Sequence, residues 1–405
     1  MYVLCGRRPA ADCIGAAGRD LPVAVGGAGH HYPRRSMPLP QSFLDQFDEP
    51  FGFMDFASIG AMSIPARAGI GEMADAMSGS RGKLVPLVME RVETARRLGA
   101  RLVGVPTEQV TTVPSTSAGL FAVAFGLAGG SVVVPETEFP ANLYPWVRAA
   151  EAGRIDLRTF PVPEGRLTAD LVARAVDART TAVSLSYVDY RTGYRCDLPA
   201  IREAAGNALL VVDAVQGLGA LRFSMEDVDV MVAGGHKWLR AGGGAGLLAV
   251  SERALERLRP TLTGWLGVGD PFDTSAPLPH PPLEGADRFV MGSAGFTAVA
   301  ALCESLRTLQ TVPMEYVEAA VLARSIAVEE EARRAGARVL SPWMNDDERS
   351  GIVSFTPAGG PSEDAYARLV GEGFSLTERN GMLRVAPHAS THPDAPAAMG
   401  KVLAG

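Results

Sequence analysis

The chain has 405 residues, 47% hydrophobic and 20% charged, with 38 basic against 45 acidic side chains and a net charge of −7. That length excludes a small disulfide-stapled module, the composition excludes a disordered chain, and the acidic balance argues against a general nucleic-acid-binding surface. A small molecule is the expected partner.

Residues 1–36, rich in Gly, Ala and Arg, lack the uninterrupted apolar run of a secretion signal and read as a disordered extension with an inert His30-His31 pair; Met37 begins a more ordinary sequence. Cys5, Cys13, Cys196 and Cys303 are widely spaced with no CxxC pair, which predicts neither disulfides nor a zinc site and fits a reducing cytoplasm. Helical spacing of apolar residues predicts a helix over Leu87–Leu102 and a buried one over Ser117–Leu127, followed by a strand at Ser131–Val134. Gly126, Gly129 and Gly130 interrupt this apolar region, so no membrane span is predicted. A strand at Thr181–Tyr187, a helix at Ala200–Ala205 and strands at Ala208–Val212 and Val228–Ala233 come next. Near-continuously apolar strands alternating with helices predict an α/β protein with a mainly parallel sheet covered on both faces. After the Pro-rich residues 270–282, helices are predicted over Met291–Gln310, Pro313–Ala335 and Ser362–Gly371, and strands over Gly351–Phe355 and Met382–Val385. The expected organisation is a segment 37–60 packing with the small domain, a large domain 61–285 and a smaller C-terminal domain 286–405.

Two segments carry most of the chemistry: Leu209-Leu-Val-Val-Asp213-Ala-Val-Gln216, and Val232-Ala-Gly-Gly-His236-Lys237-Trp238. An Asp at the end of a buried strand costs free energy unless a cation or several donors satisfy it. In a parallel sheet Asp213 and Lys237 share the carboxyl edge, where α/β sheets bind ligands. A buried Asp and an imine-forming lysine are the two protein groups that pyridoxal 5'-phosphate requires. A strand-end cap and a solvated lysine are the blander alternatives. The chain has only three lysines, Lys83, Lys237 and Lys401, and only Lys237 sits where a sheet can bury it.

Pro114-Ser115-Thr116-Ser117-Ala118-Gly119 precedes a helix, a place for a phosphate or for an ordinary N-cap. Met291-Gly292-Ser293-Ala294-Gly295 has the same character. Phe139, in Glu138-Phe139-Pro140-Ala141-Asn142, is placed at the sheet edge, either to stack on a ring or to fill the core. Arg384 stands alone among apolar residues in a strand pattern and needs an anion: a ligand carboxylate held bidentately, or a structural ion pair. Arg379 is a second, weaker anchor. Tyr190 is placed to contact substrate or to be half buried, and Trp265 to line the mouth of the site or to be buried.

The Asp213-Ala-Val-Gln216 and Gly235-His236-Lys237 segments resemble the class V aminotransferase group of fold type I pyridoxal phosphate enzymes, which includes cysteine desulfurases, kynureninases and isopenicillin N epimerase-like proteins. The resemblance runs from about Asp55 to His388. It implies a seven-stranded-type sheet with a smaller α+β domain, and Lys237 as the Schiff-base lysine and proton carrier. It also implies Gln216 on the phenolic oxygen, His236 near the phosphate or Schiff base, and Ser115, Thr116 and Ser117 in the phosphate loop. Phe139 would contact the cofactor, and Arg384, Tyr190, Asn142 and Arg379 the substrate. Ser293 would reach the phosphate of the neighbouring subunit, which implies a homodimer with composite sites. Phe139-Pro140 and Tyr190-Arg191-Thr192-Gly193 resemble kynureninase-like and epimerase-like members, whereas Gly235 and Ala214-Val215 depart from the family pattern. No cysteine follows Cys303, so the persulfide chemistry of a desulfurase is not expected. The leading expectation is carbon–sulfur β-elimination from a cysteine S-conjugate in secondary metabolism, as in epimerase-like enzymes of lincosamide pathways. Decarboxylation with oxidative deamination, transamination, kynureninase-like hydrolysis and non-catalytic binding are the alternatives.

Overall fold

The computed structural model describes residues 38–79 and 81–405, so the extension with Cys5, Cys13, His30, His31 and Met37 lies outside the described residues. Strands β1 (Val110–Val113), β2 (Ser131–Pro135), β3 (Asp156–Phe160), β4 (Thr180–Ser186), β5 (Leu209–Asp213), β6 (Val230–Gly234) and β7 (Gly246–Val250) form one sheet in the order β1-β7-β6-β5-β4-β2-β3. From β3 to β6 all neighbours are parallel, and β7 runs antiparallel to both β6 and β1. Every residue of β2, β5, β6 and β7 is buried, because helices cover both faces; this is why the strands read as apolar runs rather than as alternating ones. The core on one face joins Leu120 and Val123 of helix Thr116–Gly126 and Trp146 of helix Pro140–Glu151 to Leu209, Val230 and Leu248. Each such side chain contributes about 1.5–3 kcal/mol by leaving water.

Some elements escape the sequence pattern. β3, Asp-Leu-Arg-Thr-Phe, lies at the edge of the sheet and has only one buried residue, so it carries no apolar run. Helix Pro140–Glu151 contains a second proline, Pro145. The segment 291–295 is not helical, and the helix predicted from Met291 starts at Phe296. Two glycines there lower helix propensity, and the incoming chain is pinned by the Gly264 N–H on the Val290 carbonyl at 3.0 Å.

A second sheet is antiparallel, with β8 (Arg338–Val339), β9 (Val353–Thr356), β10 (Thr377–Arg379) and β11 (Met382–Val385) in the order β10-β11-β9-β8. Asn380 and Gly381 turn the β10–β11 hairpin with φ of 54° and 79°, the two positive values that a type I′ turn demands. Segment 53–60 belongs to this half as well as to the first sheet. Phe53 bridges Ser375 and Asp55 bridges Ala386, after which the Gly60 N–H donates to the His236 carbonyl at 2.8 Å. A Cβ on Gly60 would lie 2.1 Å from the Lys237 carbonyl oxygen, so glycine alone lets this strap close on the turn after β6. Among the described residues no helix is long and apolar enough to cross a membrane, and no group of His, Cys, Asp and Glu could hold a metal ion.

Candidate active site

Asp213 is the last residue of β5 and is 2% exposed. Its Oδ1 accepts the Val215 N–H at 3.0 Å, and no cation lies within ion-pair distance among the described residues. Burial pushes the carboxyl up to about 6, against the opposing pull of that N–H and of the Lys237 charge. Lys237 follows β6 by three residues and is also enclosed; burial brings its amine down to about 8, with Arg384 adding to the fall and Asp213 and Asp55 opposing it. An amine so placed is part-neutral near pH 7, the form that attacks a carbonyl. The turn that carries it is tight: a Cβ on Gly235 would meet the Ala245 carbonyl oxygen at 2.8 Å. No side chain fits at Gly235 in this turn.

Helix Thr116–Gly126 is brought to the same edge because Gly119 packs on β6, where a Cβ would come within 2.5 Å of Val232. Ser115 is its N-cap, accepting the Ala118 N–H at 3.2 Å. Thr116 Oγ1 accepts the Gly234 N–H at 2.9 Å and so ties the helix start to the end of β6. The Ser117 hydroxyl makes no side-chain hydrogen bond among the described residues. His236 is half-buried and kept neutral, its pKa lowered by burial and then by Lys237. Gln216 is more committed than expected. Its Nε2 donates to the Ala57 carbonyl at 3.0 Å and its Oε1 accepts the indole N–H of Trp238 at 3.0 Å, which leaves a single amide N–H for a ligand. Ser293 is exposed and touches none of these groups.

Phe139 caps helix Pro140–Glu151 and is 36% exposed, which rules out a core role. The Lys237 amine lies 5.4 Å from its ring centroid, and Tyr190 meets it edge-on at 5.1 Å. Asn142 is a correction: it is fully buried, one turn into that helix on its core face, accepting the Ser184 hydroxyl at 2.7 Å and the Trp146 indole at 3.4 Å, and cannot touch substrate. Trp265 is 42% exposed against Phe272, so it is not a core residue.

Arg384 is buried in β11, with Nη1 donating to the Tyr190 carbonyl and Nη2 to Ser58 Oγ, both at 2.8 Å. Its Nε is buried without a hydrogen-bond partner among the described residues. Asp55 stands 3.7 Å from Nη2, too far for a hydrogen bond, so the ion-pair alternative is only partly realised. Arg379 is exposed at the end of β10. Two carboxylates escaped the sequence reading. Asp55 accepts the hydroxyls of Ser58 and Thr377 at 2.9 and 3.0 Å and acts on both Lys237 and Arg384. Glu138 sits three residues beyond β2, a strand-end carboxylate as Asp213 is. Beside it, Tyr190, Asp189 and Tyr194 line a cleft of about 330 Å³ including its open mouth.

The sequence pattern of the family Aminotransferase class-V matches residues 73–383. The kynureninase of Deinococcus radiodurans is 33% identical over 217 residues, 51% of this chain and 51% of its own, so the chain spans about half the length of that relative. Among solved structures, the apo cysteine desulfurase of Thermococcus onnurineus superimposes with a TM-score of 0.77 at 19% identity, covering 87% of this chain and 93% of its own. The cystine C-S lyase C-DES, in complex with its reaction product cysteine persulfide, gives 0.79 at 21%, covering 87% and 97%. At such identities the structural matches speak for the fold.

Proposed function

Because the chain belongs to the class-V aminotransferase family, we propose that this site performs carbon–sulfur β-elimination on a cysteine S-conjugate of secondary metabolism. The cofactor is pyridoxal phosphate, and the residues present fit it. Asp213 is a buried carboxyl without a cation, Lys237 is an enclosed amine of lowered pKa, and Phe139 is an aromatic face left open above that amine. That constellation is the observation that carries the reading. When bound, the cofactor supplies an electron sink for negative charge at the amino acid's Cα.

The protein's residues divide the remaining work. Asp213 would hold the ring nitrogen, the start of helix Thr116–Gly126 with Ser117 would hold the phosphate, Gln216 would offer its one free N–H to the phenolic oxygen, and Phe139 would pack on the ring. Arg384, pre-set by Tyr190 and Ser58, takes the substrate carboxylate. Lys237 would take the Cα proton and pass it to the thiolate leaving Cβ, and one water added to the remaining fragment would give pyruvate and ammonia. The missing cysteine after Cys303 favours this outcome over persulfide formation on the protein. Ser293, exposed on its own chain, serves the phosphate of a second copy in a homodimer. Product analysis over a panel of cysteine S-conjugates tests the reading. Equal amounts of thiol, pyruvate and ammonia support it; carbon dioxide and an aldehyde without pyruvate overturn it in favour of oxidative decarboxylation.

A further inference from the structure

Ser186 and Asp213 end two neighbouring strands on the carboxyl edge and Glu138 follows a third, and neither Ser186 nor Glu138 has a part in the chemistry above. Ser186 ends β4 in register with Asp213 at the end of β5, and Glu138 follows β2 on the other side of β4. Both oxygens of Glu138 are held by Ser186, one by its N–H at 2.7 Å and one by its hydroxyl at 2.5 Å. No cation forms an ion pair with Glu138 among the described residues. The groups around it are Asn142 from the helix after β2, Asp213 from β5, and Asp189, Tyr190, Arg191, Tyr194 and Cys196 from the loop after β4. Arg191 is committed to Asp189 at 3.0 Å, and burial lifts the Cys196 thiol and the Tyr194 phenol far above neutrality. Glu138 and Asp213 are therefore the two carboxyls here that burial raises toward neutrality, and the Lys237 amine, brought down to about 8, is the cation that faces Asp213.

We propose that Glu138 is a positioning residue for the ring-nitrogen end of the cofactor site, acting on Asp213 through Ser186, which holds both Glu138 oxygens and lies in register beside Asp213. The inference rests on the cofactor reading given above. Two enclosed carboxyls of one sign resist ionising together. Burial pushes Glu138 up to about 7, with the neighbouring Asp213 charge adding to it, and Asp213 only to about 6. As pH rises through neutrality Glu138 ionises beside Asp213, the negative charge offered to a protonated ring nitrogen grows, and the hold on the ring tightens.

The test is the dissociation constant of pyridoxal phosphate, read from its visible absorbance on the apo-protein and on Glu138→Gln, across the pH range around 7. The amide introduced by Glu138→Gln keeps an acceptor for the Ser186 N–H and a donor for its hydroxyl but cannot ionise. Because the Lys237 amine loses its proton near 8 in both proteins, the reading is the affinity of wild type relative to the variant, which should rise about tenfold in a step near pH 7. Ser186→Ala, which removes a donor that stabilises ionised Glu138, should move the step to higher pH. A ratio of the two affinities that does not change with pH overturns the inference and leaves the cofactor assignment standing. Failure of wild type to take up the cofactor at any pH overturns both.

Discussion

Gln216 has two duties, and replacing it by alanine separates them. Trp238 is 0% exposed and Ala57 1%, so Gln216→Ala leaves an indole N–H and a carbonyl buried without partners. At about 1–3 kcal/mol for each abandoned group, the loss comes to about 2–6 kcal/mol of folding stability. Trp238→Phe removes only the indole donor and orphans one amide oxygen. Because the two changes break the same bond, the double variant should cost about 1–2 kcal/mol less than the sum of the singles. Guanidinium unfolding of the four apo-proteins measures this, and cofactor affinity measured on the same set isolates the second duty. Trp238→Phe keeps the amide donor and should bind pyridoxal phosphate as wild type does, whereas Gln216→Ala should bind it less tightly. Additivity within about 0.5 kcal/mol would refute the hydrogen bond as a stabilising contact, and equal cofactor affinity in all four would remove Gln216 from the cofactor site.

Three further outcomes are expected. Gly60→Ala should not yield a stable protein, since its methyl group would overlap the Lys237 carbonyl; a melting temperature near that of wild type would show that the strap is not closed as described. Asn142→Ala should lower stability by about 2–6 kcal/mol through the Ser184 hydroxyl and Trp146 indole it abandons, with KM unchanged; a raised KM with intact stability would restore it as a substrate contact. Cofactor uptake by the apo-protein should speed up as pH rises and level off above about 8, where the Lys237 amine loses its proton. A rate independent of pH would mean that the amine is not the reacting group, and Lys237→Ala should abolish both the visible absorbance and turnover.

The strands that carry the site were legible because burial on both faces makes them apolar runs, and a charged residue at the end of such a run stands out. Asp213, Lys237 and Arg384 were found in this way. Glu138 carries the same signal but was masked by the aromatic beside it. Asp55 had none, because it belongs to a strap rather than to a strand. The edge strand β3 was missed because a strand with one covered residue need not be apolar.

Residue type and spacing alone determined the α/β class, the lysine able to form an imine, the absence of a late cysteine and the aromatic at the sheet edge, since each follows from local chemistry or from a count. Which polar group meets which partner was decided only by tertiary structure. Asn142 and Phe139 stand three residues apart, yet the helix turns one into the core and leaves the other above the Lys237 amine. Gln216 spends its acceptor on an indole 22 residues away, and Arg384 is set by Ser58, 326 positions earlier in the chain. Such pairings arise because folding brings distant donors and acceptors together where water cannot replace either partner.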